Sequence, residues 1–105
     1  MHRAPPNLHD ILWHDAAVFE LEEAALYYGG IDEELGQRFT AAAEVAITEI
    51  KSRPEMRPKF DDEARKTRLR RFPYAVVYWI DGGTLRIIAV MHLHREPGYW
   101  HGRVE

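Results

Sequence analysis

The chain contains no cysteine, which excludes disulfides, thiolate-bound metals and cysteine nucleophiles. Its only serine is Ser52, outside any G-x-S-x-G setting, so serine-hydrolase chemistry is not expected. No apolar run approaches the roughly eighteen residues of a membrane helix, and the opening MHRAPPNLHD lacks the apolar stretch of a secretory leader. No membrane partner is expected, and the location expected is cytoplasmic. Glycine-rich phosphate loops are missing too: Gly82-Gly83 lies between two strand-like segments, not ahead of a helix.

What is present is an ordinary soluble composition over 105 residues, 46% apolar and 30% charged. It predicts one domain spanning residues 1–105 with a small core. The net charge of −3 hides an asymmetry. Residues 1–52 hold ten acidic and three basic side chains, whereas residues 53–105 hold seven acidic and eleven basic ones. The second half therefore presents a field for an anionic partner, although the whole chain lacks the positive charge of a general nucleic-acid binder.

The apolar pattern orders the elements. LHDILW (Leu8–Trp13) reads as an edge strand, with Asp15 as the cap of a first helix. Val18, Leu21, Ala25 and Tyr28 give that helix its apolar spacing, and Gly29-Gly30 predict its end. Asp32 caps a second helix, whose first turn holds Glu33 and Glu34. Leu35, Phe39, Ala43, Ala46, Ile47 and Ile50 trace its apolar stripe, and it stops near Lys51, ahead of Pro54 and Pro58. A loop of three or four residues is expected between these antiparallel helices. The remainder has strand character: Ala64–Arg71, then Tyr74–Ile80, the turn Asp81-Gly82-Gly83, and Thr84–Leu93. The predicted fold class is α+β, a helical hairpin on a small, mainly antiparallel sheet, in the order β-α-α-β-β-β. The last two strands are apolar on both faces, so their second face needs a cover. The tail with Tyr99 and Trp100 is the candidate, or else a partner.

Chemistry-bearing residues concentrate near the C-terminus, in MHLHREPGYWHGR. His92 and His94 share a strand face, but no third ligand stands at a diagnostic spacing, so neither a metal nor a cofactor is expected. The pairs Asp61-Asp62 and Glu33-Glu34 read as caps or solvated groups. What remains is a cationic and aromatic set: Lys66, Arg68, Arg70, Arg71, Arg86, Arg95, Tyr99, Trp100 and Arg103. Lys66, Arg68 and Arg70, at a spacing of two, would lie on one strand face. Three like charges there repel one another, which an acidic partner would relieve. Lys66, Arg68, Arg70, Arg71, Arg86, Arg95 and Trp100 are accordingly the expected partner-binding residues.

The chain resembles the RelE/ParE superfamily of bacterial toxins from type II toxin–antitoxin modules. The resemblance runs through WHDAAVFELEEAALYY, LGQRFTAAAEVAITEIKSRPEM and, most specifically, RRFPYAVVYWIDGGTLRIIAVMHLHREPGYW. It implies two helices on a small antiparallel sheet and a cognate antitoxin that wraps and neutralises the toxin, with assembly into a heterotetramer or larger complex. It also implies one of two targets, or else a degenerate member that has lost toxicity while keeping its antitoxin-binding surface. RelE-like members cleave mRNA in the ribosomal A site, whereas ParE-like members act against DNA gyrase without being nucleases. The nuclease pattern carries over only in part, because Ala75 follows Tyr74 where RelE-like enzymes have an arginine. If the nuclease reading held, Arg71, Arg95 and Tyr99 would be its residues. The missing arginine and the net acidity favour the ParE-like reading, in which no residue is catalytic.

Overall fold

The computed structural model describes residues 10–104. In chain order these form β1 (Asp10–Trp13), α1 (Asp15–Ile31), α2 (Glu33–Ser52), β2 (Arg65–Arg68), β3 (Tyr74–Asp81) and β4 (Thr84–His92). A tail follows, ending in a short 3-10 turn, His101–Arg103. The α+β class and the element order are those expected. Leu8 and His9 of the first expected strand lie outside the described residues.

The helical hairpin departs from expectation in three respects. The cap of α1 is His14, whose Nδ1 accepts the Ala16 N–H at 3.1 Å. Asp15 instead occupies the first turn, facing the positive end of the helix dipole. Nor do Gly29 and Gly30 end α1, which continues through them to Ile31. The reason lies across the hairpin: a Cβ on Gly36 would come within 2.8 Å of the Gly29 Cα. The helices meet there backbone to backbone, so glycine serves close approach rather than termination. Finally, the joint is one residue. The Asp32 N–H closes α1 on the Tyr28 carbonyl, and its carboxylate accepts the Glu34 N–H at 2.9 Å to open α2.

Burial follows the helical period. Phe39, Ala43, Ala46 and Ile50 of α2 are buried, with Leu35 and Ile47 beside them. In α1 the inward row centres on Ala17 and Ala24, while Val18 is 38% exposed. Small α1 residues let the hairpin sit low on the sheet. Tyr28, Phe39 and Phe72 then meet with ring centroids 4.9 to 5.3 Å apart, the separation at which edge and offset contacts add to apolar burial.

The sheet order is β1-β4-β3-β2. β1 runs parallel to β4, and the other pairs are antiparallel. β2 stops at Arg68, short of the expected Arg71. Leu69 and Phe72 both turn into the helix-side core, and the Leu69 N–H bonds the Tyr74 carbonyl. The chain must fold tightly between them, which places Arg71 at φ 69°, a left-handed conformation uncommon outside glycine.

The second face is covered by the tail. Trp100 is 1% exposed and packs with Ala64, Ala75, Val77, Ile88, Ala89 and Met91. A bulge in β4 helps: Val77 pairs Ala89 and Tyr78 pairs Ile87, leaving Ile88 without a register partner. The extra residue sends Ile88 and Ala89 to the same side, toward the tail. Gly98, at φ 74°, turns the tail inward, and a Cβ there would fall 2.2 Å from the His101 ring.

Candidate functional site

The expected cationic set divides between separate surfaces. The first is a trough along α2. At one end, a cleft of about 690 Å³ lies over the hairpin, floored by Ala25, Gly29 and Gly36 and bordered by Leu26 and Glu33. At the other, a cleft of about 330 Å³ is lined by Ala42, Val45, Glu49, Arg57, Arg68 and Arg70. Ala41 lines both, so the two clefts adjoin along α2. Leu26 is 75% exposed and Val45 48%, leaving an apolar floor with cations at one end only. Arg70 lies 3.9 Å from Glu49, and its side chain is 83% exposed; a pair so placed holds neither partner firmly.

The stripe of three cations does not survive as one face. Arg68 and Arg70 reach the α2 cleft, whereas Lys66 turns away, its Nζ 4.5 Å from the centre of the Phe60 ring. Arg57, which the sequence pattern did not single out, takes the third place. Exposed Arg71 stays in the β2–β3 turn. Arg86 is on the far strand pairing, opposite Leu12 of β1, and lines a cleft with Trp13 and His14. Trp100 is corrected outright as a partner anchor. It is the largest fully buried side chain, and its place is the core of the second face.

The second surface surrounds Glu20. β1 pairs with β4 only as far as Ile87, so among the described residues the edge of β4 beyond it has no neighbouring strand. Side chains fill in. Glu20 Oε1 accepts the Val90 N–H at 3.0 Å, and Arg103 Nη1 donates to the Ile88 carbonyl at 3.1 Å. The two side chains pair through both oxygens, at 2.8 and 3.0 Å, with 15% and 17% exposure. The Tyr99 hydroxyl donates to Glu20 Oε2 at 2.8 Å. Burial, then the hydrogen bond and charge of Glu20, push the Tyr99 phenol well above its ordinary range. Arg103's own hydrogen bonds to Glu20 raise its pKa, against the effect of burial. One carboxylate thus binds α1 to the β4 edge and to the tail.

Beside this node a cleft of about 270 Å³ is lined by Glu23, Tyr27, Tyr74, His92, Arg95 and Tyr99, among others. The Arg95 guanidinium lies 3.9 Å from the Tyr99 ring centre, within cation–π range. Of the residues named for a nuclease, Arg95 and Tyr99 therefore meet, but Arg71 is not among the residues lining their cleft. Tyr99 already spends its proton on Glu20. His92 Nδ1 accepts the His94 N–H at 3.0 Å, a local bond of the kind common at strand ends. Among the described residues, no three His, Asp or Glu side chains gather as they would around a metal ion. His101 Nε2 lies 2.6 Å from Asp61 Oδ2 and clips the tail to the α2–β2 connection.

A family profile described as "ParE toxin of type II toxin-antitoxin system, parDE" matches residues 11–97. The chain belongs to the ParE toxin family. The match takes in both helices, all of β2, β3 and β4, and Arg95, while Tyr99, Trp100 and Arg103 fall beyond it. No curated protein sequence matches this ParE-like toxin. Among solved structures it is similar to a chain from the chromosomal ParDE toxin–antitoxin system of P. aeruginosa, with a TM-score of 0.61 and 15% identity. The likeness covers 82% of this chain and 97% of that one, and at such identity it is a likeness of fold. No helix among the described residues is long and apolar enough to cross a membrane.

Proposed function

We propose that this ParE-like toxin acts as a single domain that binds and inhibits DNA gyrase without cutting nucleic acid. An antitoxin segment laid along the α2 trough would neutralise it. The observation that carries the reading is that Arg95 and Tyr99 line one cleft, Arg68 and Arg70 line another, and Arg71 lines neither, so Arg71, Arg95 and Tyr99 do not converge on one reacting centre. A nuclease needs donors pre-placed on a developing phosphorane, and losing one such group commonly costs about 3–4 kcal/mol of barrier. An inhibitor needs only complementary surface, with a few buried or stacked anchors.

The trough also suggests the chemistry of the antitoxin segment. Its small-residue floor suits an apolar helix face, and Arg57, Arg68 and Arg70 suit carboxylates following it. A partner carboxylate need only displace Glu49 from its loose contact with Arg70. A segment disordered alone would fold on docking and bury apolar surface, giving a negative heat-capacity change. Titration with the cognate antitoxin should show that signature. Arg68→Glu with Arg70→Glu should slow association roughly tenfold at low salt, the difference shrinking as salt screens it. No heat at micromolar concentrations of both proteins would remove the trough from the account.

A further inference from the structure

The Glu20 node raises a question that packing alone does not answer. Trp100 already fastens the tail to the second face, and His101 ties it to Asp61. The Glu20–Arg103 ion pair is a third attachment, 15% and 17% exposed. What the node also fixes is the Tyr99 ring. Its hydroxyl is held by Glu20, one guanidinium (Arg95) lies 3.9 Å from its centre, and a second (Arg103) lies 5.0 Å from it. Arg95 itself is solvent-exposed and lies between Pro97-Gly98 and the end of β4, its backbone N–H bonded to the His92 carbonyl. The Tyr99 ring is its resting place.

We infer that Glu20 and Arg103 are positioning residues that hold Tyr99 as a platform and so present Arg95, at the rim of the Tyr27–Tyr74–His92 cleft, to an acidic or carbonyl-rich patch of the toxin's protein target. This rests on the reading of the toxin as a binding inhibitor and adds a site to it. The division of labour follows: the α2 trough meets the antitoxin, while the tail node shapes the target-facing surface. The mechanism is pre-organisation. A long arginine side chain loses considerable rotamer freedom when immobilised in a complex, and stacking it beforehand removes part of that loss. Arginine suits the role because its planar group both stacks on a ring and offers a fork of donors. Arg103 is also poorly replaced, because it meets both Glu20 oxygens and the Ile88 carbonyl together. Lysine keeps the charge but cannot make that set of bonds.

Two measurements on the full chain test the inference. The first does not depend on the target. In NMR spectra of the free toxin, the side-chain Nε–H of Arg95 should be displaced upfield by the Tyr99 ring current, and Tyr99→Leu should abolish the displacement. Arg103→Ala should reduce it by at least half, and Arg103→Lys should restore little of it. An Arg95 signal unchanged in Arg103→Ala would overturn the inference, whatever the target proves to be. The second is inhibition of supercoiling by purified gyrase. Arg95→Ala and Arg103→Ala should each weaken inhibition at least tenfold, and the double variant no further, with antitoxin affinity intact in all three. Additive losses, or equal losses of antitoxin binding, would reduce the node to a structural clasp. A wild-type toxin that leaves gyrase untouched would remove the gyrase reading, while the Arg95 signal would still decide the positioning role.

Discussion

Replacing Trp100 with alanine separates packing from recognition. The indole is 1% exposed and lies against Ala75, Val77, Ile88, Ala89 and Met91, four of them no larger than isoleucine. The four small ones cannot reach across, and Met91 alone is too small to replace an indole, so part of the cavity would remain or admit water. Truncating a buried Trp or Phe to Ala costs about 3–5 kcal/mol, and a domain of this size has roughly 5–15 kcal/mol in total. At about 4–8 °C per kcal/mol for a small domain, Trp100→Ala should lower the melting temperature by roughly 12 °C or more. The second face of β3 and β4 would also be opened, inviting self-association. Thermal and urea unfolding followed by circular dichroism would measure the loss. A variant destabilised by less than about 1 kcal/mol, yet unable to bind gyrase or antitoxin while folded, would refute the packing argument and restore Trp100 as a surface anchor.

Other consequences follow from the same geometry. Gly98→Ala should be among the costlier single-methyl changes, since it adds a Cβ at φ 74° against the His101 ring. Its melting point should fall by several degrees, and the signals of residues 98–104 should broaden; an unchanged melting point would mean that the tail turn is soft. High pH should unfold the protein through its phenols. Burial raises Tyr78 and Tyr99 above their ordinary value of 10.0, so the fold favours the protonated forms. Their contribution is complete below pH 10 and is lost as pH rises above it. Tyr78→Phe combined with Tyr99→Phe should flatten the fall in stability above pH 10, and an equally steep fall in that variant would contradict this.

Much of the fold was legible because it follows period and composition. The stripe from Leu35 to Ile50, the cap at Asp32 and the hairpin at Asp81–Gly83 are local signals, and they appear where the spacing puts them. Glycine misled, since Gly29-Gly30 can mean either a helix end or a close crossing, and only the position of Gly36 in space decides. The cations misled for a related reason. Spacing along a strand places Cβ atoms, but a long arginine side chain at a sheet edge can reach either side. Lys66 and Arg68 therefore part company, and Arg57 joins from a loop. Glu20 was invisible as a site residue because it sits among helix glutamates that are mostly solvated. Its partners, Val90, Tyr99 and Arg103, are 70 to 83 residues away. No local pattern encodes such a meeting.

The central claim, inhibition by binding rather than by catalysis, is tested most directly by paired assays on one preparation of toxin freed from its antitoxin. One follows supercoiling of relaxed plasmid by purified gyrase; the other follows cleavage of mRNA positioned in a ribosomal A site. The account predicts that supercoiling falls with toxin concentration, recovers on adding antitoxin, and is accompanied by intact mRNA. Codon-spaced cuts that disappear in Arg95→Ala, with gyrase running at full rate, would contradict it and make the chain an endonuclease.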